Sequence, residues 1–290
     1  MKLIYIIILW LATWLWSHSG HGQQVLRGTD KGYQGQNPPG LVPVPFAPGV
    51  LSTKGWELPA EFTPGLQEFY LTASYDAPYG PSVIVFRQEG RVWTRHEFYA
   101  TLSGGVDVLY SKSNYIERTD QGWSEMKSLG PMFDREDWGI MRLSASSNGT
   151  YVLDDWKNDD VLRISRIVDG EREEPRLLGP EINTGKWTAH PYIAPDESYL
   201  IWDSERPEGY GDSDLYISFR QSDGTWGPAI NMGDQINTPA QENAAMVTTD
   251  GQYLFFGRSE EKYRADGSTY WVGGKYWVDA RVIELLRSEK

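Results

Sequence analysis

Along most of the chain apolar and polar residues alternate in short runs that stop at Gly, Pro, Asp or Asn. That period of two, with turn residues between runs, is the pattern of short half-buried strands. The clearest unit spans His190–Ser218 and its sequel. A strand headed by His190 runs into the turn Pro195-Asp196-Glu197-Ser198, and a second strand covers Tyr199–Trp202. A polar loop, Ser204–Ser213, leads to a third strand at Leu215–Ser218, and a turn at Asp223-Gly224 leads to a fourth from about Trp226 to Met232. Four short antiparallel strands in succession make one blade of a β-propeller.

The unit recurs. Anchored on the turn between the first two strands, it appears at Gly65, Gly105, Gly149, Glu197 and Gly251, at intervals of 40, 44, 48 and 54 residues. Four residues after each anchor stands a large apolar residue, Phe69, Leu109, Leu153, Ile201 or Phe255. A second register agrees: Leu178-Gly179-Pro180-Glu181-Ile182-Asn183-Thr184 returns as Met232-Gly233-Asp234-Gln235-Ile236-Asn237-Thr238. Trp93, Trp123 and Trp226 each follow a glycine-containing turn and are expected to open fourth strands. These are expected to be packing residues. A repeat of this length must be looked for before anything else, because it sets the fold.

Pro45–Thr53 resembles the fourth-strand exits but precedes the first anchor, and the fifth unit runs short. The economical arrangement is a single all-β propeller of four-stranded antiparallel blades, five in number, in which the N-terminal segment supplies the outer strand of the last blade and so buries an edge. Six blades would follow if residues 23–44 and 262–290 built a degenerate one. The expected organisation is a signal peptide at 1–22, an extended strap at 23–44 and the propeller at 45–290.

Composition adds an address. Lys2 followed by an apolar run to Trp16 and small residues at Gly20 and Gly22 has the form of a secretory signal, too short to span a membrane comfortably. The chain has no Cys, which excludes a lipid-modified Cys and disulfides, and suits a periplasmic or secreted protein. An uncleaved N-terminal anchor is the alternative. The formal charge of −13, near −14 without residues 1–22, argues against nucleic acid and anionic membranes as partners. No membrane insertion is expected after cleavage, and a monomer is expected.

Ala194-Pro195-Asp196-Glu197-Ser198-Tyr199-Leu200-Ile201, Thr249-Asp250-Gly251-Gln252-Tyr253-Leu254-Phe255-Phe256 and Asp214-Leu215-Tyr216-Ile217-Ser218 resemble the TolB-type β-propeller repeat, also called the PD40 or WD40-like repeat. The resemblance implies the fold. It does not imply one function, since the group includes periplasmic protein-binding propellers, propeller domains beside peptidases, and polysaccharide lyases. The lyase branch looks dependent on several His; with only His96 and His190 beyond residue 22, a multi-His metal site is not expected here.

In a four-stranded blade the loop between strands two and three shares a face with the link to the next blade. On that face lie Trp156–Asp160, Ser204–Ser213, Arg258–Gly274 and the links at Asn183–His190 and Asn237–Asn243, the long polar loops where binding usually resides. Asp155 and Asp203 end their second strands six residues after their anchors, and two carboxylates across a pocket can serve as acid and base on a glycan. Their bland role is to hold loop backbones or pair with Arg206 or Arg258, which are themselves, with Glu57 and Glu242, candidate ligand-binding residues. His190, at the head of an innermost strand, is a candidate general base or a structural histidine. His96 is placed in the link to the second blade. Glu57 and Glu242 stand in matching places before their anchors, and Trp156, Trp187, Tyr210 and Tyr270 are aromatic candidates for stacking on sugar, for anchoring a protein, or for covering blade edges. Asp212-Ser213-Asp214 and Asp154-Asp155 with Asp159-Asp160 offer oxygen ligands for Ca²⁺ without a known loop spacing, so no cofactor is expected. Phosphate loops, nucleophile elbows and zinc motifs are missing.

Three functions follow from this reading. The first is an exported propeller that binds a glycan or a protein on its long-loop face. The second is a polysaccharide-active hydrolase or lyase using the rim carboxylates and His190. The third is a TolB-like assembly partner of an envelope complex.

Overall fold

The structure is a computed structural model that describes residues 26–27, 36–46, 57–62, 68–73, 82–89, 92–98, 108–120 and 122–288. The expected signal peptide, the anchors Gly65 and Gly105, and most of the 45–53 exit lie outside the described residues. Two short strands come first, β1 (Leu26–Arg27) and β2 (Val44–Pro45). The first sheet then runs in chain order through β3 (Glu57–Phe62), β4 (Glu68–Ala73), β5 (Ser82–Glu89) and β6 (Val92–Phe98), with β1 added outside β6. The second holds β7 (Val108–Ser111), β8 (Asn114–Thr119), β9 (Gly122–Trp123) and β10 (Lys127–Ser128), the last two both on β8.

The third sheet is β11 (Leu143–Ala145), β12 (Tyr151–Asp155), β13 (Val161–Ser165) and an outer strand that follows the small hairpin β14 (Ile167–Val168) and β15 (Glu171–Arg172). That outer strand is β16 (Arg176–Leu177). The fourth is β17 (Lys186–Ile193), β18 (Tyr199–Glu205), β19 (Asp214–Phe219) and β20 (Ile230–Asn231). The fifth is β21 (Gln241–Val247), β22 (Tyr253–Tyr263) and β23 (Thr269–Asp279), completed on its outside by β2 through Val44 opposite Trp277 and Pro45 opposite Tyr276. Every pairing is antiparallel.

The turns take the backbone forms their residues favour. Gly149 and Gly251 have φ of 79° and 72°, and Glu197, at the same turn, has 61°. A glycine reaches that region without a Cβ clash. Glu197 is held there by its carboxylate, which accepts from Ser146 Oγ at 2.8 Å and from Arg220 Nη1 at 2.8 Å. The repeated Gly-x-x-Ile-Asn segments are clamps. Asn183 accepts from the Leu162 N–H at 2.7 Å and donates to the Leu162 carbonyl at 2.9 Å; Asn237 does the same to Leu215 at 2.8 and 3.0 Å. Each clamp satisfies a third-strand N–H that the short fourth strand leaves unpaired, and adds a second donor to a carbonyl that already accepts from Leu178 or Met232 N–H.

The core lies between sheets. Val152, Leu162 and Ile164 of the third sheet pack against Leu200, Trp202 and Tyr216 of the fourth. Ile201, Leu215 and Ile217 on the other face of the fourth sheet pack against Leu254, Phe256 and Val278 of the fifth. Successive residues of a strand thus serve opposite neighbours, as the period of two requires. β3 lies against β21 and β22, so the first sheet also adjoins the fifth. Phe46, fully buried, sets its ring edge-on to Phe255 at 4.9 Å and to Trp277 at 5.2 Å.

Several placements differ from the pattern-based reading. The fourth strand of the fourth sheet is only Ile230–Asn231, with Trp226 in an isolated bridge to Arg220, and most of the expected loop Arg258–Gly274 is strand in β22 and β23. The last residues are not strand or tail but a helix, α1 (Arg281–Ser288), whose Val282 and Ile283 join the core between the fourth and fifth sheets. A period of two does not describe a short amphipathic helix after a final strand. His96 lies inside β6, opposite Val85, and not in a link.

Candidate functional site

The most connected polar cluster lies where the innermost strands of three sheets meet. β17 and β21 each carry a register shift, at Ala189–Tyr192 and Asn243–Met246, and the residues His190 and Ala244 within those bulges have φ of 47° and 51°. Bulges of this kind free backbone N–H groups and redirect side chains. The freed N–H of His190 donates to Asp154 Oδ2 at 3.1 Å, and that of Ala244 to Asp203 Oδ1 at 2.9 Å. Each carboxylate therefore sits on the second strand of one sheet and caps the innermost strand of the next. Asp154 also takes the N–H groups of Met141 at 2.6 Å and Arg142 at 3.0 Å.

This arrangement corrects the alignment of the rim carboxylates. The counterpart of Asp203 is Asp154, not Asp155. The turn from Ser146 to Thr150 is closed by a Ser146 N–H to Thr150 carbonyl bond of 2.9 Å, whereas the equivalent bond from Ala194 reaches Tyr199, one residue further on. One residue fewer in the turn shifts the register, and a shift of one sends each side chain to the other face. Asp155 accordingly faces away from the fourth sheet: it accepts from Gly139 N–H at 2.9 Å, Asn158 Nδ2 at 2.8 Å and Arg163 Nε at 2.9 Å, fully buried. The pair expected to face each other across a pocket is split by a blade.

His190 is the functional-type group in the cluster. Its Nδ1 lies 3.1 and 3.0 Å from the two oxygens of Asp203, and its side chain is 14% exposed. Burial pulls its pKa down, but the Asp203 carboxylate beside it, helped by Asp154, overcomes this and holds the imidazole above its ordinary value. Asp154 is pushed up by burial, against the opposing pull of His190 and the N–H groups. Arg142, 2% exposed, reaches from the third sheet to the Ala245 carbonyl of the fifth at 3.0 Å.

Arg206, Glu242 and Arg258 take structural partners. Arg206 donates to the Ile182 carbonyl at 2.9 Å and stacks 4.4 Å over Tyr216; Arg258 donates to the Ile236 carbonyl at 2.8 Å and stacks 4.4 Å over Tyr276. Glu242, fully buried, receives Arg258 Nε at 2.7 Å together with the Thr238 N–H and hydroxyl. Burial raises its pKa, with Thr238 and Arg258 opposing. Glu57 stands on β3 one residue before the pair that precedes a register shift, the backbone place that Glu242 holds on β21.

The aromatic candidates have the opposite character. Trp187 is 62% exposed, Trp156 51% and Tyr210 48%, all on the side of the strand-two-to-three loops. Trp187, with φ of 52°, has its N–H facing the Asp160 carboxylate, which joins the two loops. Trp156 covers Gly139 so closely that a Cβ there would meet its ring at 2.5 Å. On the same side, β22 and β23 continue as a two-stranded arm to Tyr263 and Thr269. Its base borders a groove of about 630 Å³ lined by Asp212, Pro239, Arg258, Glu261, Tyr263 and Tyr276. The sequence did not reveal this groove, because its walls come from two separate loops and the β22–β23 arm. Among the described residues no group of three or more His, Asp or Glu side chains is placed to hold a metal. Asp214, a Ca²⁺ candidate by sequence, instead accepts from Tyr210 N–H at 2.7 Å and Asn231 Nδ2 at 2.8 Å.

No family model matches the chain, and no curated protein is similar to it in sequence. Among solved structures, TolB of Acinetobacter baumannii is similar with 12% identity and a TM-score of 0.46 over 80% of this chain, which spans 59% of that protein. An α-L-arabinofuranosidase of Podospora anserina, solved with cellotriose, is 10% identical over 82% of this chain and 94% of its own, at a TM-score of 0.49. The catalytic domain of an α-L-arabinofuranosidase of Coprinopsis cinerea is 9% identical over 83% and 95%, at 0.48. At this distance nothing about activity follows from them. The chain is a nearly all-β protein of antiparallel sheets.

Proposed function

We propose that the chain is an exported five-bladed propeller, closed by its N-terminal segment, that binds a glycan on its long-loop face. The observation that carries this reading is the exposure of Trp156, Trp187 and Tyr210 together on that face, while Trp202, Tyr216, Trp226 and Trp277 of the same sheets are buried. An exposed aromatic ring presents an apolar face, and the apolar C–H faces of a pyranose fit such a ring. The surrounding loops supply polar edges through Lys157, Asp160, Lys186 and Glu205. Asp155, Glu242, Arg206 and Arg258 support the loops, and the binding would be done by the rings. Closure is supported by β2 on the outside of the fifth sheet and by the contact of β3 with β21.

The test is isothermal titration calorimetry of the mature chain against soluble neutral, amino and acidic oligosaccharides. Trp187→Ala should lose about 2 kcal/mol, roughly 30-fold in Kd, the magnitude of a central aromatic contact. Trp156→Ala should weaken binding less, since part of that ring covers Gly139. Equal affinity in wild type and both variants would refute the assignment. Absence of glycan binding, with an envelope protein retained instead in pull-downs that Trp187→Ala abolishes, would move the face to a protein partner. N-terminal sequencing of the exported protein should begin at Gln23.

A further inference from the structure

Three innermost strands present corresponding residues at one place near their meeting point. Arg142, His190 and Ala244 each stand three residues before the ladder residue that closes the hairpin, Ala145, Ile193 or Val247. On the second strands Asp154 donates its N–H to the Arg142 carbonyl, while Asp203 and Gly257 pair with Ala189 and Asn243, the residues just before His190 and Ala244. The comparison separates what the fold needs from what it carries. Ala244 adopts the same left-handed bulge as His190 with only a methyl group, so the bulge does not require an imidazole. The two carboxylates do have structural tasks, since each caps a bulge N–H of the next sheet. Arg142 bridges to the Ala245 carbonyl. The imidazole is tied through Nδ1 alone, and among the described residues Nε2 has no hydrogen-bond partner.

We propose that His190 is the proton-accepting group of a small axial site, open to water or to a small ligand presenting a hydroxyl. Asp203 keeps the proton on Nδ1, which leaves the lone pair on Nε2. A ligand O–H donates to Nε2. Full transfer breaks the O–H bond, leaves its electron pair on oxygen, and forms an imidazolium whose second N–H faces Asp203. Asp203 and Asp154 are positioning residues, the first for the ring and the second for the backbone that carries it. Among the described residues the charged groups facing the ring are Asp203 on β18, Asp154 on β12 and Arg142 beside β11, while β21 contributes the Ala244 N–H to Asp203. Non-glycine residues held at positive φ cluster at sites of this kind. The inference is independent of the aromatic face: a protein that binds no sugar would still carry it.

The experiment is carbethoxylation of the folded full-length chain by diethyl pyrocarbonate, read at each His by peptide mass spectrometry across pH. Nε2 attacks a carbonyl carbon of the reagent, and ethanol and carbon dioxide leave. His190 should be modified in the folded protein, with a pH midpoint above the ordinary 6.5. In Asp203→Asn, where the amide oxygen still accepts the Ala244 N–H, the midpoint should fall below that of the wild type. If His190 reacts only after urea unfolding, Nε2 is closed and the proposal is overturned. If it reacts in the folded protein with a midpoint that Asp203→Asn leaves unchanged, the carboxylate does not back the ring and the dyad is overturned. Should Asp203→Asn fail to fold by circular dichroism, the wild-type midpoint against that of the urea-unfolded chain decides the same question.

Discussion

Asn237→Ala gives the sharpest test of the repeat. The side chain is 1% exposed and makes three hydrogen bonds, to the N–H and carbonyl of Leu215 and to Asn231 Oδ1 at 2.8 Å. Leu215 is fully buried in the core between the fourth and fifth sheets. Three net bonds at about 1 kcal/mol each give about 3 kcal/mol, and stranding the buried Leu215 N–H, whose carbonyl keeps the Met232 N–H at 3.0 Å, raises the total to about 4 kcal/mol. For a chain of this size that is a fall in Tm of about 8 °C. Asn183 makes three equivalent bonds, to Leu162 twice and to the Leu178 carbonyl at 2.8 Å, but it is only half-buried, so water can replace part of the loss. Asn183→Ala should cost about half as much. Thermal melts followed by near-ultraviolet circular dichroism measure both. A fall below about 2 °C for Asn237→Ala, or a larger fall for Asn183→Ala, would show that the clamps do not hold the third strands as argued.

Phe46→Ala removes a fully buried ring that seats on Phe255 and Trp277 and should cost about 3–5 kcal/mol, read by urea unfolding; a change under about 1 kcal/mol would mean that the N-terminal segment does not close the fifth sheet. His190 has a folded pKa raised above 6.5, so the stability it adds is fully present below that pH and is lost as pH rises through the folded value. The Tm difference between wild type and His190→Gln should therefore be constant below about pH 6 and shrink on the alkaline side. A difference that grows with pH would reverse the sign and refute the Asp203 pairing. Arg163→Met should loosen the Trp156 loop by freeing Asp155, seen as faster hydrogen exchange at 156–160, while leaving the His190 midpoint where it is.

The strands, the hairpin turns at Gly149, Glu197 and Gly251, and the recurrence of the Ile-Asn clamp were legible in the chain because each is a local pattern: a period of two, a turn residue, a repeated pentapeptide. The outer strand of the fifth sheet was legible from an excess of strand at one end and a deficit at the other. The site was less so. Asp154 and Asp155 are neighbours in sequence, and either fits the end of a second strand. Only strand pairing reveals that the preceding turn is one residue short, and that Asp154 therefore faces the next sheet while Asp155 turns back to Arg163. The positive φ of His190 and Ala244, the meeting of His190 with Asp203, and the span from Arg142 to Ala245 likewise depend on contacts among strands far apart in the chain. Local patterns set the elements because backbone and side-chain periods are local. Which carboxylate meets which imidazole is decided by register, and register exists only between strands.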